Sequence, residues 1–66
     1  MFKRIRDVRI AKGMSQVELA EKSGVSRFTI IALESGSLTN THFATLHKIA
    51  KALEVTIDDL FFDVDV

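Results

Sequence analysis

Residues 15–36 read SQVELAEKSGVSRFTIIALESG, and they carry signals for helix starts and helix ends in close succession. Ser15, followed three residues later by a glutamate, has the spacing of a helix capping box, and Ser26 is a residue type that begins helices. Gly24 interrupts the pattern between them and Gly36 ends it, since glycine readily takes the left-handed conformation that closes a helix. The stretch therefore predicts two short helices joined by a tight turn, a helix-turn-helix.

Three further helices are predicted around this pair. Residues 2–12 carry apolar side chains at helical spacing and are followed by Gly13. Residues 42–53 carry an apolar stripe at i, i+3, i+4 and i+7, and Thr56 caps a last short helix. A chain of 66 residues with no cysteine and no proline is long enough for one domain only. We therefore expect residues 1–66 to form one all-α domain of five helices.

The last residues follow a different pattern. Residues 62–66 alternate apolar side chains with aspartates, a period of two that is typical of a half-buried strand. One strand is not stable alone, so either a short C-terminal β-strand pairs with the same strand of a second copy, or the terminus is frayed. We expect residues from about 56–66 to form a homodimer interface. The side chains assigned to it are Ile57, Leu60, Phe61, Phe62 and Val64.

The formal net charge is zero, but the charge is unevenly distributed. Residues 1–30 hold seven basic and three acidic side chains, whereas residues 31–66 hold two basic and six acidic ones. A polyanion would be attracted to the first half and repelled by the second, so the field would also orient it. The alternative is solvated surface charge that happens to fall unevenly.

Several classes of function are disfavoured. The chain has no apolar run of membrane-spanning length and no signal-peptide pattern, so we expect a cytoplasmic protein without membrane contact. His42 and His47 lack nearby carboxylate or thiol partners at a useful spacing, so we expect no metal site. There is no nucleophile triad, phosphate loop or carboxylate pair, and we expect neither a cofactor nor an enzyme.

Residues 15–36 resemble the Cro/repressor-type (Xre-like) helix-turn-helix family of bacterial and phage regulators. The run LHKIAKALEVTIDDLF at residues 46–61 is similar to that family's fourth and fifth helices. The resemblance extends over residues 3–61 and implies a lambda-repressor-like fold. It also implies a sequence-specific transcriptional regulator, expected to be a repressor that binds a palindromic operator in double-stranded DNA as a homodimer. Its recognition helix would be residues 26–35.

The expected DNA contacts centre on the starts of the two motif helices. The resemblance implies that Gln16 binds backbone phosphate and that Thr29 contacts backbone or a base edge. Arg27 could grip guanine O6 and N7 or contact a phosphate instead, and Ser15 and Ser26 could serve simply as helix caps. The uncharged loop after the third helix favours modest affinity with a shallow salt dependence. The full set expected at the DNA is Ser15, Gln16, Ser26, Arg27, Phe28, Thr29, Ile31, Ala32, Thr39 and Asn40.

Three of these positions, Phe28, Ile31 and Ala32, depart from the family pattern. The family usually has polar side chains at the first two, whereas here the outer side of the recognition helix is apolar. Phe28 and Ile31 could pack on thymine methyl groups, on the protein's own core or on a partner protein. The alternative function is therefore a protein-interaction module, or an antitoxin, that uses this apolar side.

The resemblance also implies an ion pair between Arg9 and Glu34. It would bridge the first helix to the third and hold the orientation of the motif, which is a structural role. Because removing one partner from a buried pair is strongly destabilising, loss of Arg9 would imitate a DNA-contact mutation by unfolding the domain.

Overall fold

The computed structural model describes residues 3–38 and 41–61, without the side chains of the first and last of these. Within these ranges every regular element is a helix, so the predicted all-α class is confirmed. The helices are α1 (Lys3–Ala11), α2 (Gln16–Ser23), α3 (Arg27–Ser35), α4 (Phe43–Leu53) and α5 (Ile57–Phe61). The predicted C-terminal strand at residues 62–66 lies outside the described residues.

The starts of α2 and α5 are capped by the same reciprocal hydrogen bonds. The Glu18 amide donates to Ser15 Oγ at 3.0 Å, and the Ser15 amide donates to Glu18 Oε1 at 2.9 Å, so the predicted capping box is present. Thr56 and Asp59 repeat the arrangement at the start of α5. In both cases the pKa of the carboxyl, Glu18 or Asp59, is lowered because hydrogen bonds stabilise its ionised form. The larger effect comes from the backbone hydrogen bond and the smaller from the hydrogen bond with the hydroxyl.

Two helix ends show how the turns are made. Gly24 closes α2 in the left-handed conformation, with φ of 74°, and its amide donates to the Ala20 carbonyl. A Cβ at Gly24 would have no neighbour within 4 Å, so the backbone conformation rather than space favours glycine there. Glu54 closes α4 with φ of 61° although it is not glycine, and no glycine follows Gly36 in the sequence. The end of α4 is therefore made at a conformational cost.

A single apolar core lies between the helices. Helix α1 packs on α3 and α5, and α2 packs on α3 and α4. The core consists of Ile5, Leu19, Val25, Ile30, Leu33, Leu46, Ile49, Ala50, Leu53 and Leu60. A side-chain hydrogen bond adds to this packing, because Arg4 Nε donates to the Asp59 carbonyl oxygen at 2.6 Å and links α1 to α5. The core thus holds α2 and α3 in one fixed arrangement.

The core includes one residue that the sequence placed elsewhere. Leu60 was expected at a dimer interface, but its side chain is 0% exposed and belongs to the chain's own core. That expectation was wrong, because α5 folds back onto α1 and α4 and turns Leu60 inward. Ile57 is half-buried and packs against the same core. The side chain of Phe61 and residues Phe62 and Val64 lie outside the described part of the chain.

Candidate nucleic-acid interface

The two motif helices present their N-terminal ends through short capped turns. Ser15 precedes α2 and Ser26 precedes α3, and both hydroxyls accept a backbone amide, from Glu18 and from Phe28 at 3.2 Å. Both serines are exposed, so capping leaves them accessible to a ligand. A helix N-terminus carries free N–H groups and a partial positive charge, which suit a phosphate.

Three largely buried polar side chains join α1, α2 and α3, and we call them the inner polar junction: Arg9, Gln16 and Glu34. Glu34 Oε2 accepts from Arg9 Nε at 2.7 Å, and Glu34 Oε1 accepts from Arg9 Nη2 at 3.1 Å. The two side chains are 11% and 5% exposed, so this is a bidentate pair largely removed from water. It bridges α1 and α3, where the resemblance places it.

The junction also includes contacts that the sequence did not reveal. Gln16 Nε2 donates to Glu34 Oε1 at 3.1 Å, and Arg9 Nη1 donates to the Met14 carbonyl at 2.7 Å. An ionised carboxylate only accepts hydrogen bonds, so Glu34 determines which end of the Gln16 amide turns inward. Gln16, expected to bind a backbone phosphate, is therefore already held by one of its two N–H groups and has one to offer.

The side of α3 that faces away from the core is apolar. Phe28 is 82% exposed, and Ile31 and Ala32 are half-buried; together they form what we call the outer apolar face. At about 100° per residue, Phe28 points away from the buried Ile30 and Leu33 of the same helix. Packing of Phe28 in the protein's own core, one of the alternatives left by the sequence, is therefore wrong.

Two further predicted contacts, Arg27 and Thr29, lie on α3. Arg27 is exposed at the first position of the helix, and Thr29 is half-buried. Thr39 and Asn40, expected to contact phosphates from the loop before α4, lie outside the described residues.

A shallow depression connects α2 with α3. It has a volume of about 360 Å³ and is open to solvent. Its lining residues are Arg6, Arg9, Gln16, Ile31, Glu34 and Ser35. Arg6, an exposed basic residue of α1, lines this depression together with Gln16. The packing of α1 on α3 brings Arg6, in the first turn of α1, to this position.

Within residues 3–38 and 41–61, no group of three metal-ligating side chains comes together. None of the helices in these ranges is long and apolar enough to cross a membrane.

Comparison with known proteins identifies the family. The model of the helix-turn-helix family matches residues 5–60, which include all of α2 to α4. An uncharacterised HTH-type transcriptional regulator of Archaeoglobus fulgidus is 46% identical over 61 residues, covering 92% of this chain and 86% of that protein. A second such regulator, from Methanothermobacter thermautotrophicus, is 47% identical over 58 residues, covering 86% and 83%.

A relative with an individual name extends the comparison. The HTH-type transcriptional regulator SinR of Bacillus licheniformis is 36% identical over 62 residues, which are 94% of this chain and 56% of that protein. No solved structure matches the chain. The matched range contains the capped turn between α2 and α3, the inner polar junction and the core that supports them. The chain belongs to the Cro/repressor-type helix-turn-helix family of DNA-binding transcriptional regulators.

Proposed function

We propose that this protein is a sequence-specific repressor that binds a two-fold symmetric operator as a homodimer. Helix α3 enters the major groove of each half-site, and the start of α2 contacts the phosphate backbone. The observation that carries this proposal is the pair of capped helices, held at a fixed angle by the inner polar junction, with Arg27 exposed at the start of α3. No catalytic step is involved, in keeping with relatives that are transcriptional regulators.

Arg27 is the side chain proposed to read the base sequence. Its guanidinium can donate two hydrogen bonds to guanine O6 and N7, which discriminates against other bases by about 1–3 kcal/mol. It is exposed and occupies the first helical position, where side chains of a recognition helix reach base edges. Gln16, Ser15, Ser26 and Thr29 are proposed to position the helix on the backbone, as are Thr39 and Asn40.

A homodimer is proposed because two half-sites one helical turn apart require two recognition helices about 34 Å apart. With Leu60 inside the core, the proposed contact centres on Ile57 and on the segment 56–66 that contains it. An open groove of about 710 Å³ supports this placement, since Ile57 lines it together with Phe43, whose side chain is 70% exposed. A second copy covering this groove would remove apolar surface from water.

The experiment that tests the proposal is selection of binding sites from random duplex DNA at two salt concentrations, with light scattering on the same samples. We expect a two-fold symmetric consensus bound by a dimer, with modest affinity and a shallow salt dependence. Failure to select any consensus at low salt would refute the proposed function.

A pair of variants then tests Arg27. Arg27→Ala should relax one base position in each half-site and weaken binding to the consensus by about 1–3 kcal/mol for each half-site. Lys48→Ala is the matched control, since it also removes one exposed positive charge but from α4. Equal losses in the two variants would mean that Arg27 contributes charge alone.

The second candidate function is a protein-interaction module or antitoxin, and the 82% exposure of Phe28 is the observation that favours it. In that case Phe28→Ala would abolish a tight protein complex, while DNA binding would be weak and without a consensus. The site selection above separates the two candidates.

A further inference from the structure

The outer apolar face of α3 needs an explanation beyond membership of the family. Phe28 and Ile31 lie three residues apart on the side of α3 that faces away from the core. Phe28 is the most exposed large apolar side chain among the described residues, and the buried positions of α3 are filled without it. A solvent-facing phenylalanine contributes little to folding, and here it lies beside Ile31 and Ala32 on the side of α3 that is proposed to enter the major groove.

The charges around this face favour a polyanion with an apolar group. Arg27 is exposed at its edge, whereas the carboxylate of Glu34, on the same helix, is turned inward and neutralised by Arg9. The acidic residues of α2, Glu18 and Glu21, line a different depression. The face therefore combines a free cation with apolar side chains and carries no free carboxylate among the described residues of α3.

The size of the face argues against a protein as the occupant. A stable protein interface buries about 800 Å² on each partner, whereas a fully covered phenylalanine contributes about 150–250 Å². Phe28 with the half-buried Ile31 and Ala32 falls well below what a protein needs. In the major groove, by contrast, thymine presents a C5 methyl group, an apolar group that a single side chain can cover.

On the basis of the proposed function, we infer that Phe28, flanked by Ile31, reads the C5 methyl groups of thymine. Arg27 and Phe28 then read adjacent features of one half-site, guanine by hydrogen bonds and thymine by apolar contact. The operator is accordingly expected to carry thymine next to the guanine that Arg27 selects. Replacing that thymine by uracil removes only the methyl group and leaves every hydrogen-bonding group in place.

The test uses the consensus duplex selected above. At each position of the half-site where the consensus has thymine, one duplex carries thymine and a second carries deoxyuridine. We expect one position at which deoxyuridine weakens binding of the unaltered protein about fourfold per methyl group, the factor that corresponds to one buried apolar carbon. Phe28→Ala should bind the thymine duplex more weakly and should bind both duplexes equally. Ile10→Ala, which removes an exposed apolar side chain from α1, should keep the full preference for thymine.

The outcomes distinguish this inference from the function on which it rests. If the protein selects a consensus but binds thymine and deoxyuridine duplexes equally at every position, methyl readout is refuted and the regulator stands. If Phe28→Ala keeps the preference for thymine, another side chain reads the methyl group and the assignment to Phe28 is refuted. If no consensus is selected, the proposed function itself fails. The duplex comparison needs no variant, and thermal melting of Phe28→Ala verifies that it is folded.

Discussion

The inner polar junction and the outer apolar face both include residues of the same short helix, α3, and these residues reverse the usual distribution of charged and apolar side chains. Glu34, near the end of α3, is charged and only 5% exposed, whereas Phe28, near its beginning, is apolar and 82% exposed. Charged side chains are almost never fully buried unless paired. Here Arg9 supplies the pair and Gln16 adds a third hydrogen bond to the carboxylate.

This difference in exposure separates residues that stabilise the fold from residues that are available to a ligand. The junction has every buried polar side-chain atom satisfied within the described residues, so it specifies one arrangement of α1, α2 and α3. Phe28, on the outer apolar face, is 82% exposed and is not part of the core. Substitutions in the junction should therefore change stability first, and substitution of Phe28 should change binding alone.

The largest effect is expected from Arg9→Ala. It leaves the Glu34 carboxylate buried without its partner, which should lower the free energy of unfolding by about 3–5 kcal/mol. Urea denaturation followed by circular dichroism measures the loss. As control, Arg9→Met combined with Glu34→Leu removes both charges and should lose less than Arg9→Ala. A loss below about 1 kcal/mol in Arg9→Ala would show that water reaches the junction.

A smaller effect is expected one residue outside the junction, at the cap of α2. Ser15→Ala removes the acceptor for the Glu18 amide and should lower the free energy of unfolding by about 1 kcal/mol. Ser15→Asp retains an acceptor at the cap and should keep most of the stability. Equal losses in both variants would mean that the hydroxyl itself has another role.

The charge of Glu18 provides a pH-dependent test of the same cap. Folding lowers the pKa of Glu18, through its hydrogen bonds with the Ser15 backbone and hydroxyl, below the ordinary value of 4.5. Its contribution to stability is therefore present above the unfolded-state pKa and is lost as the pH falls through the lower folded-state pKa. The stability gap between the unaltered protein and Glu18→Gln should close on acidification, as urea midpoints between about pH 6 and about pH 3 would show.

Asp59 serves as the matched control for that titration. The pKa of its carboxyl is also lowered, by hydrogen bonds with Thr56 at the start of α5. The difference in stability between the unaltered protein and Asp59→Asn should therefore also close on acidification, independently of Glu18→Gln. A gap that widens on acidification in either variant would contradict the assigned direction of the pKa shift.

The smallest effect on stability is expected at the outer apolar face. Phe28→Ala should change the free energy of unfolding by less than about 0.5 kcal/mol, because the side chain is mostly in water already. Ile30→Ala, two residues further along α3 and fully buried, should lose about 2–5 kcal/mol. A comparable loss in Phe28→Ala would show that the outer apolar face contributes to folding, and the contrast between the two sides of α3 would fail.

Most of the fold could be predicted because its signals are local. Serines and glycines at the helix ends placed α2 and α3 within one residue of their observed bounds, and the apolar stripe did the same for α4. Each of these signals acts within one turn of the chain. The family resemblance added the pair of Arg9 with Glu34, which no local pattern contains.

The contacts that could not be predicted join residues far apart in the sequence. Gln16 and Glu34 are 18 residues apart, and Arg4 and Asp59 are 55 apart. The burial of Leu60 could not be predicted for the same reason, because it depends on the packing of α5 against α1 and α4. An apolar residue on a short terminal helix suits a core as well as an interface, so periodicity alone could not choose.

By itself, the sequence determined the number and limits of the described helices, the capped turn of the motif, and the apolar character of Phe28 and Ile31. The tertiary structure decided that Phe28 faces solvent, that Gln16 is held by Glu34, and that Leu60 belongs to the core. The physical reason is that capping and helix periodicity act over three or four residues. The exposure of a side chain, by contrast, is set by which distant helices pack beside it.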